Sequence, residues 1–200
     1  MRRIVAVEHL SLDGVMQSPS GLDEDRRGGF AHGGWAQPGN DEVMGAELGK
    51  GMGTVELLFG RFTYERFFEY WPNQTEPNPF TDVLNNTQKY VASRTLTGPL
   101  PWVNSTLLSG DAADSVAELK SKPGKGLVVL GSGNLVQSLI RADLVDAYQL
   151  LIHPVLLGSG RRLFPDDASM ATLRLANSVV TTTGVVIATY EHTGGVNGHA

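Results

Sequence analysis

The chain has 200 residues, 41% of them hydrophobic and 18% charged, which is enough apolar material for one core and too little charge for a disordered chain. Sixteen basic and 21 acidic residues leave a net charge of −5, which argues against a general nucleic-acid binder but not against one local basic pocket. The absence of cysteine excludes disulfides, thiolate metal sites and a cysteine nucleophile, and five scattered histidines with no ligand spacing make a metal site unexpected.

Ile4 to Leu10 reads as a first strand. Glu8, His9 and Asp13 follow the short apolar start too soon for a signal peptide. No run reaches the roughly 18 apolar residues that span a bilayer, so a soluble, cytoplasmic protein without a membrane partner is expected. Ser11-Leu12-Asp13-Gly14 turns the chain, and residues 17–40, rich in Gly, Ser, Pro and charge, read as a long mobile loop. Asp41 to Gly53 predicts a glycine-rich helix.

Val55 to Phe59 predicts a buried strand ending at Gly60, followed by a helix capped by Thr63 with Tyr64, Phe67 and Phe68 on one face. A Pro-rich loop over 72–79 leads to a short helix from Asn78-Pro79. Lys89 to Ser93 and Trp102 to Leu107 predict strands, and Asp111 to Ser121 a helix. Leu127 to Leu130 is a buried strand closed by Gly131-Ser132-Gly133, with a helix carrying Leu135, Val136, Leu139 and Ile140 after it. Ala147 to Ile152 is a strand, and Leu173 to Thr181 with Val185 to Tyr190 form a closing hairpin. Strands alternating with helices imply a mainly parallel sheet between helices, made mixed by the hairpin.

Three strand ends carry groups suited to phosphate. Leu130-Gly131-Ser132-Gly133-Asn134-Leu135 joins a strand to a helix through glycines, where free N–H groups and the helix dipole favour an anion. A plain strand-to-helix turn would share that pattern, since Val136 stands where the dinucleotide fingerprint has its third glycine. Gly60, Arg61 and Thr63 repeat the arrangement with a guanidinium, which could equally serve a surface ion pair. Ser93-Arg94-Thr95 offers two hydroxyls around a guanidinium, fit for a monoester phosphate or for an ordinary polar loop. In open α/β sheets ligands bind beyond the carboxyl ends of the strands, which is where all three segments fall.

These segments, with Ser11 to Gly14, residues 57–65, 89–96 and 129–133, and Pro154-Val155-Leu156-Leu157-Gly158-Ser159-Gly160, resemble the dihydrofolate-reductase-like superfamily in family order. The resemblance is to the bacterial branch similar to the C-terminal reductase domain of the bifunctional riboflavin-biosynthesis deaminase/reductase. It implies a three-layer αβα fold with a central eight-stranded mixed sheet, one reductase domain over 1–192 with a flexible tail over 193–200, NADPH as cofactor, and often a homodimer. It places Gly60, Arg61 and Thr63 at the cofactor phosphates, Ser93 and Arg94 at the adenosine 2′-phosphate, and Gly131, Ser132, Gly133, Asn134 and Leu135, with Leu130, at the pyrophosphate. Ser11 to Gly14 would open a loop over the nicotinamide, near Ala6, Asp13 and Gly14. With the first strand at residue 4, the deaminase unit usually fused upstream is not expected.

The proton donor is not fixed by a motif. Asp13, Asp41 and Glu42 are the acids carried forward, although Asp41 and Glu42 also suit the capping of a helix first turn. Trp35 could stack on a flat substrate or anchor the loop, His153 could face the site or be a structural histidine, and Arg161 could meet a ribosyl phosphate or be solvated. The expected activity is NADPH-dependent hydride transfer to a small heterocyclic or carbonyl-like substrate. Its alternatives are the aminouracil ribosyl-phosphate reductase of riboflavin synthesis and a non-catalytic nucleotide-binding protein on the same fold.

Overall fold

The computed structural model describes residues 1–75 and 79–193. The start of the predicted helix at Asn78 and all of the predicted tail beyond Thr193 lie outside the described residues. Eight strands form one sheet: β1 (Ile4–Ser11), β2 (Glu56–Gly60), β3 (Lys89–Ser93), β4 (Ser105–Ser109), β5 (Leu127–Leu130), β6 (Ala147–His153), β7 (Leu173–Val180) and β8 (Val186–His192). Their order is β4-β3-β2-β5-β1-β6-β8-β7. The first six are parallel, while β8 runs antiparallel to β6 and β7 antiparallel to β8. This is the mixed αβα sheet expected from the sequence.

Helices α1 (Glu42–Gly49), α2 (Arg61–Tyr70) and α3 (Pro79–Asn86) cover one face; α4 (Ala112–Ser121) and α5 (Gly133–Arg141) cover the other. The alternation along β1 divides the core. Ile4, Ala6 and Leu10 pack with Val116 and Leu119 of α4 and Leu135, Val136 and Leu139 of α5. Val7 joins Met44, Tyr64, Leu84 and Trp102 on the opposite side. Parallel neighbours β5 and β6 occupy the edges of β1 and helices pack on both of its faces, so a charged residue midway along it falls inside the protein.

Several local expectations change. Trp102 is the buried residue of an exposed loop before β4 and not part of the strand: its N–H donates to the Tyr64 hydroxyl at 3.0 Å and its indole Nε1 to Asn85 Oδ1 at 2.8 Å. An aromatic in an apolar run reads as a strand residue, but here tertiary packing claims it. The cap of α2 is Gly60, and Thr63 lies inside the first turn. The helix from Asp41 stops at Gly49, because Gly51 takes a left-handed φ of 74° before a single 3-10 turn over Met52–Thr54.

The long 17–40 loop is cross-braced where a mobile one was expected. Gln17 Nε2 donates to the carbonyls of Asp25 and Arg27, Ser18 Oγ donates to Gly21 O, and Trp35 Nε1 donates to Gln17 O. Gln17, Ser18 and Asp25 are buried, which polar side chains tolerate only with partners of this kind. Among the described residues no helix is long and apolar enough to cross a membrane.

Candidate active site

A cavity of about 960 Å³ lies beyond the carboxyl ends of β3, β2, β5 and β1, roofed by residues 17–27. β3, β2 and β5 each end in a turn that delivers polar groups into it, while β1 lines it with residues of the strand itself. After β5, Gly131 (φ 58°) and Ser132 (φ 63°) both adopt left-handed backbone and reverse the chain into α5. The Gly60 N–H donates to Ser132 Oγ at 3.0 Å, so the turns after β2 and β5 are tied together. Gly133 allows close packing: a Cβ there would fall 2.0 Å from the Met16 thioether. Among the described residues nothing accepts from the N–H groups of Gly133 and Asn134, and these donors stand at the positive end of α5.

The next two strand ends add guanidiniums. Arg61 lines the cavity, half exposed, with only a 3.5 Å contact to Glu65. Arg94 is exposed, lines the cavity, and has no ion pair among the described residues. The Ser93 hydroxyl accepts from the N–H groups of Thr95 (3.1 Å) and Leu96 (3.0 Å), holding the turn that presents Arg94. Thr63 also lines the cavity, against Gly131. Gly60, Arg61, Thr63, Ser93, Arg94 and residues 130–135 therefore share one cavity. Ala6 and Gly14 do not reach it, since Ala6 packs in the core and Gly14, at φ 80°, makes the turn after β1.

Neighbouring strands lie about 4.8 Å apart, so the three ends from β3 to β5 span roughly 10 Å, and β1 comes next. There Glu8 lines the cavity with its side chain buried and its Oε1 without a hydrogen-bond partner. Burial, with Glu24 as a like-charged neighbour, raises its carboxyl to about 8. His9, also lining the cavity, is hydrogen-bonded to His153 across 2.8 Å between Nδ1 and Nε2. Burial, then the second ring, lowers His9 to about 4.

The acids expected from the sequence are otherwise engaged. Asp13 lies outside the cavity: its carboxylate accepts from Ser11 Oγ (2.7 Å), Leu157 N (3.1 Å) and Gly158 N (2.8 Å), which hold it at about 2. It staples the turn after β1 to the loop after β6. Asp41 touches the cavity but caps α1 through Met44 N and accepts from Thr182, and these donors keep it below the usual carboxylate range. Glu42 is exposed on the first turn of α1 and does not line the cavity. None of the three has the free, buried carboxyl that the role of proton donor asks for.

Two of the expected substrate residues stand one layer back. His153 is buried behind His9, and Trp35 packs edge-on against it at 5.3 Å; neither lines the cavity. Arg161 does line it, but its guanidinium is held by Asp25 and by Asn134 Oδ1 at 3.2 Å. Asp25 also binds Arg27, whose guanidinium lies 4.3 Å from the Phe62 ring centre, so this network latches the roof to both α5 and α2. Burial disfavours the Asp25 charge, but the hydrogen bonds from Arg27 and the charge of Arg161 outweigh that and keep it ionised. Glu8 and His9 were not singled out from the sequence; a glutamate inside the otherwise apolar Ile4–Leu10 run was the available sign.

The RibD C-terminal domain model matches residues 2–187. An uncharacterized Bacillus subtilis protein, YyaP, is 31% identical over 144 residues, which cover 69% of this chain and 74% of that one. A second uncharacterized B. subtilis protein, YwjB, is 31% identical over 70 residues, 35% of this chain and 40% of its own. Among solved structures, a candidate riboflavin biosynthesis protein from Shewanella sp. PV-4 superposes with TM-score 0.65 at 22% identity, covering 95% of this chain and 98% of its own. A pyrimidine reductase-like protein from Corynebacterium diphtheriae gives 0.62 at 12%, covering 96% and 92%. At these identities the structural matches speak for the fold alone.

Proposed function

The chain belongs to the RibD C-terminal domain family, and on that premise we propose that it is an NADPH-dependent reductase acting on a C=N or C=O bond of a small heterocyclic substrate. The observation that carries this reading is the succession of anion-compatible groups along adjacent strand ends. Arg94 after β3, Arg61 after β2 and the α5 N-terminus after β5 face one cavity, in the order that a dinucleotide with an extra monoester phosphate needs. The donor set fits: a guanidinium without an ion pair suits the 2′-phosphate, and free N–H groups at a helix start suit the pyrophosphate. When bound, the cofactor supplies hydride; the chain supplies position and field.

In this reading Arg94 meets the 2′-phosphate, with Ser93 fixing the turn that carries it. Gly60, Arg61 and Thr63 hold the adenosine side of the pyrophosphate. Gly131 to Asn134 hold the pyrophosphate, with Leu130 and Leu135 lining the same crevice. The reacting end then falls beside β1, where Glu8 and His9 line the cavity. Met44, Leu48, Phe67 and Trp71 add apolar lining on the α1 face, the face to which His9 belongs with Val7. The family match also favours a second reading, the aminouracil ribosyl-phosphate reductase of riboflavin synthesis. There the substrate phosphate would have to draw Arg161 or Arg27 away from Asp25.

Fluorescence titration of the nicotinamide tests the cofactor assignment. NADPH should bind at roughly micromolar concentration, with NADH at least about tenfold weaker. Equal affinity for both would refute the role given to Arg94, and binding of neither would refute the reductase reading.

A further inference from the structure

A reduction of this kind needs a proton as well as a hydride, and four acids line the cavity beside its buried region: Glu8, Glu24, Asp25 and Asp41. Three are committed. Glu24 accepts from the N–H groups of Ser20 (2.8 Å) and Gly21 (3.1 Å). Asp25 is paired with Arg27 and Arg161, and Asp41 caps α1 while binding Thr182. Glu8 differs. Its side chain is almost fully buried, it stands on the central strand between the glycine turn after β5 and the end of β6, and no cation or N–H donor holds its carboxylate among the described residues. A buried carboxyl without such partners is more stable as the neutral acid.

We infer that Glu8 is the proton donor of this site, delivering its carboxyl proton to the heteroatom of the substrate double bond. The inference rests on the reductase reading. Hydride, supplied by a reduced nicotinamide, adds two electrons and one hydrogen to the carbon. The π pair of the C=N or C=O bond goes to the heteroatom, which forms its new bond to hydrogen as the Glu8 O–H bond breaks. The carboxylate so formed is costly in its buried position and regains a proton from water. Glu24 faces Glu8 as a like charge, whereas Arg27 and Arg161 are both engaged by Asp25, and among the described residues neither forms an ion pair with Glu8. A charge on Glu8 therefore finds no compensation, which keeps the donor loaded.

The test compares wild type with Glu8→Gln in three measurements. Infrared spectroscopy of the ligand-free protein should show a protonated-carboxyl band at neutral pH that is absent from Glu8→Gln and titrates near 8. NADPH affinity should be the same in both proteins. Single-turnover NADPH oxidation, with dihydrofolate and the aminouracil ribosyl-phosphate as probes, should fall about 100-fold or more in Glu8→Gln and should decline in wild type as pH rises through 8. Equal turnover with an unchanged pH profile, or a Glu8 already ionised at pH 6, would overturn the assignment while leaving NADPH binding intact. Loss of NADPH binding in wild type would instead sink the reductase reading. If neither probe is reduced, the infrared result decides alone, because it needs no substrate.

Discussion

The two ends of the cavity hold their polar groups by opposite means. Along β3, β2 and β5 the groups sit in turns, exposed or half exposed, and Arg94 and the α5 N–H donors point to a phosphate that would arrive from solvent. At β1 the groups are buried: Glu8 has no partner for its Oε1, and His9 leans on His153, which leans on Trp35. The first end is built for electrostatic attraction in water. The second keeps titratable groups neutral in a dry setting, so that Glu8 still carries its proton at neutral pH. If the contrast holds, substitutions at the first end should change affinity, and those at the second should change pH behaviour.

The largest expected effect is at Glu8. Its folded-state carboxyl is raised to about 8, so the native state retains a proton that the unfolded chain loses, and stability falls as pH rises through that window. His9 acts in the opposite sense: lowered to about 4, it adds stability as pH rises toward 6.5 and nothing above. Between pH 6.5 and 8 the Glu8 contribution therefore stands uncompensated by His9, a loss on the order of 2 kcal/mol. Denaturant melts at both pH values should show that loss in wild type and its absence in Glu8→Gln. An identical slope in the variant would contradict a neutral Glu8.

Arg94→Ala comes next, and it addresses the exposed end. Removing a charge-assisted phosphate contact should weaken NADPH about tenfold to a hundredfold and leave NADH unchanged. Unchanged affinity for NADPH would remove Arg94 from the site. Gly133→Ala should cost about 1–2 kcal/mol, because the new Cβ meets the Met16 thioether at 2.0 Å. Since Met16 meets it with its flexible tip, Gly133→Ala combined with Met16→Ala should be less destabilising than the sum of the two single changes; additive losses in a double-mutant cycle would show that the two do not touch. The smallest effect is expected of Trp35→Phe, which loses one hydrogen bond to Gln17 O, about 1 kcal/mol, and loosens the packing behind His153. Thermal melts would measure it, and no change would mean that the roof does not depend on that anchor.

The same contrast explains what the sequence made legible. Lys89–Ser93 and Leu127–Leu130 stand out as apolar runs closed by turn residues, and the anion-compatible turns follow from the strand ends they close. Turn residues announce themselves because glycine is depleted in strands and its appearance closes the apolar run. Glu8 does not, because a single acid in a strand ordinarily marks a solvent face; only the tertiary fold, with β1 between β5 and β6 and helices on both faces, removes that face. Asp13 and Asp41 drew attention as acids near loops, yet loops are where backbone N–H groups need acceptors, and both carboxylates are consumed by them. His153 and Trp35 show the same limit, since their neighbourhood was visible but their depth behind His9 depends on tertiary packing.

In the proposed binding mode a dinucleotide lies across the strand ends from β3 to β5, with its reacting end at β1. Amide chemical-shift mapping tests this most directly, by comparing the adenosine bisphosphate half of the cofactor with intact NADPH. The half-molecule should shift Arg94, Thr95 and Gly60, and NADPH should add shifts at Ser132 to Asn134 and at Glu8 and His9. Shifts from NADPH that leave Glu8 and His9 unmoved, or that fall mainly at β7 and β8, would contradict it.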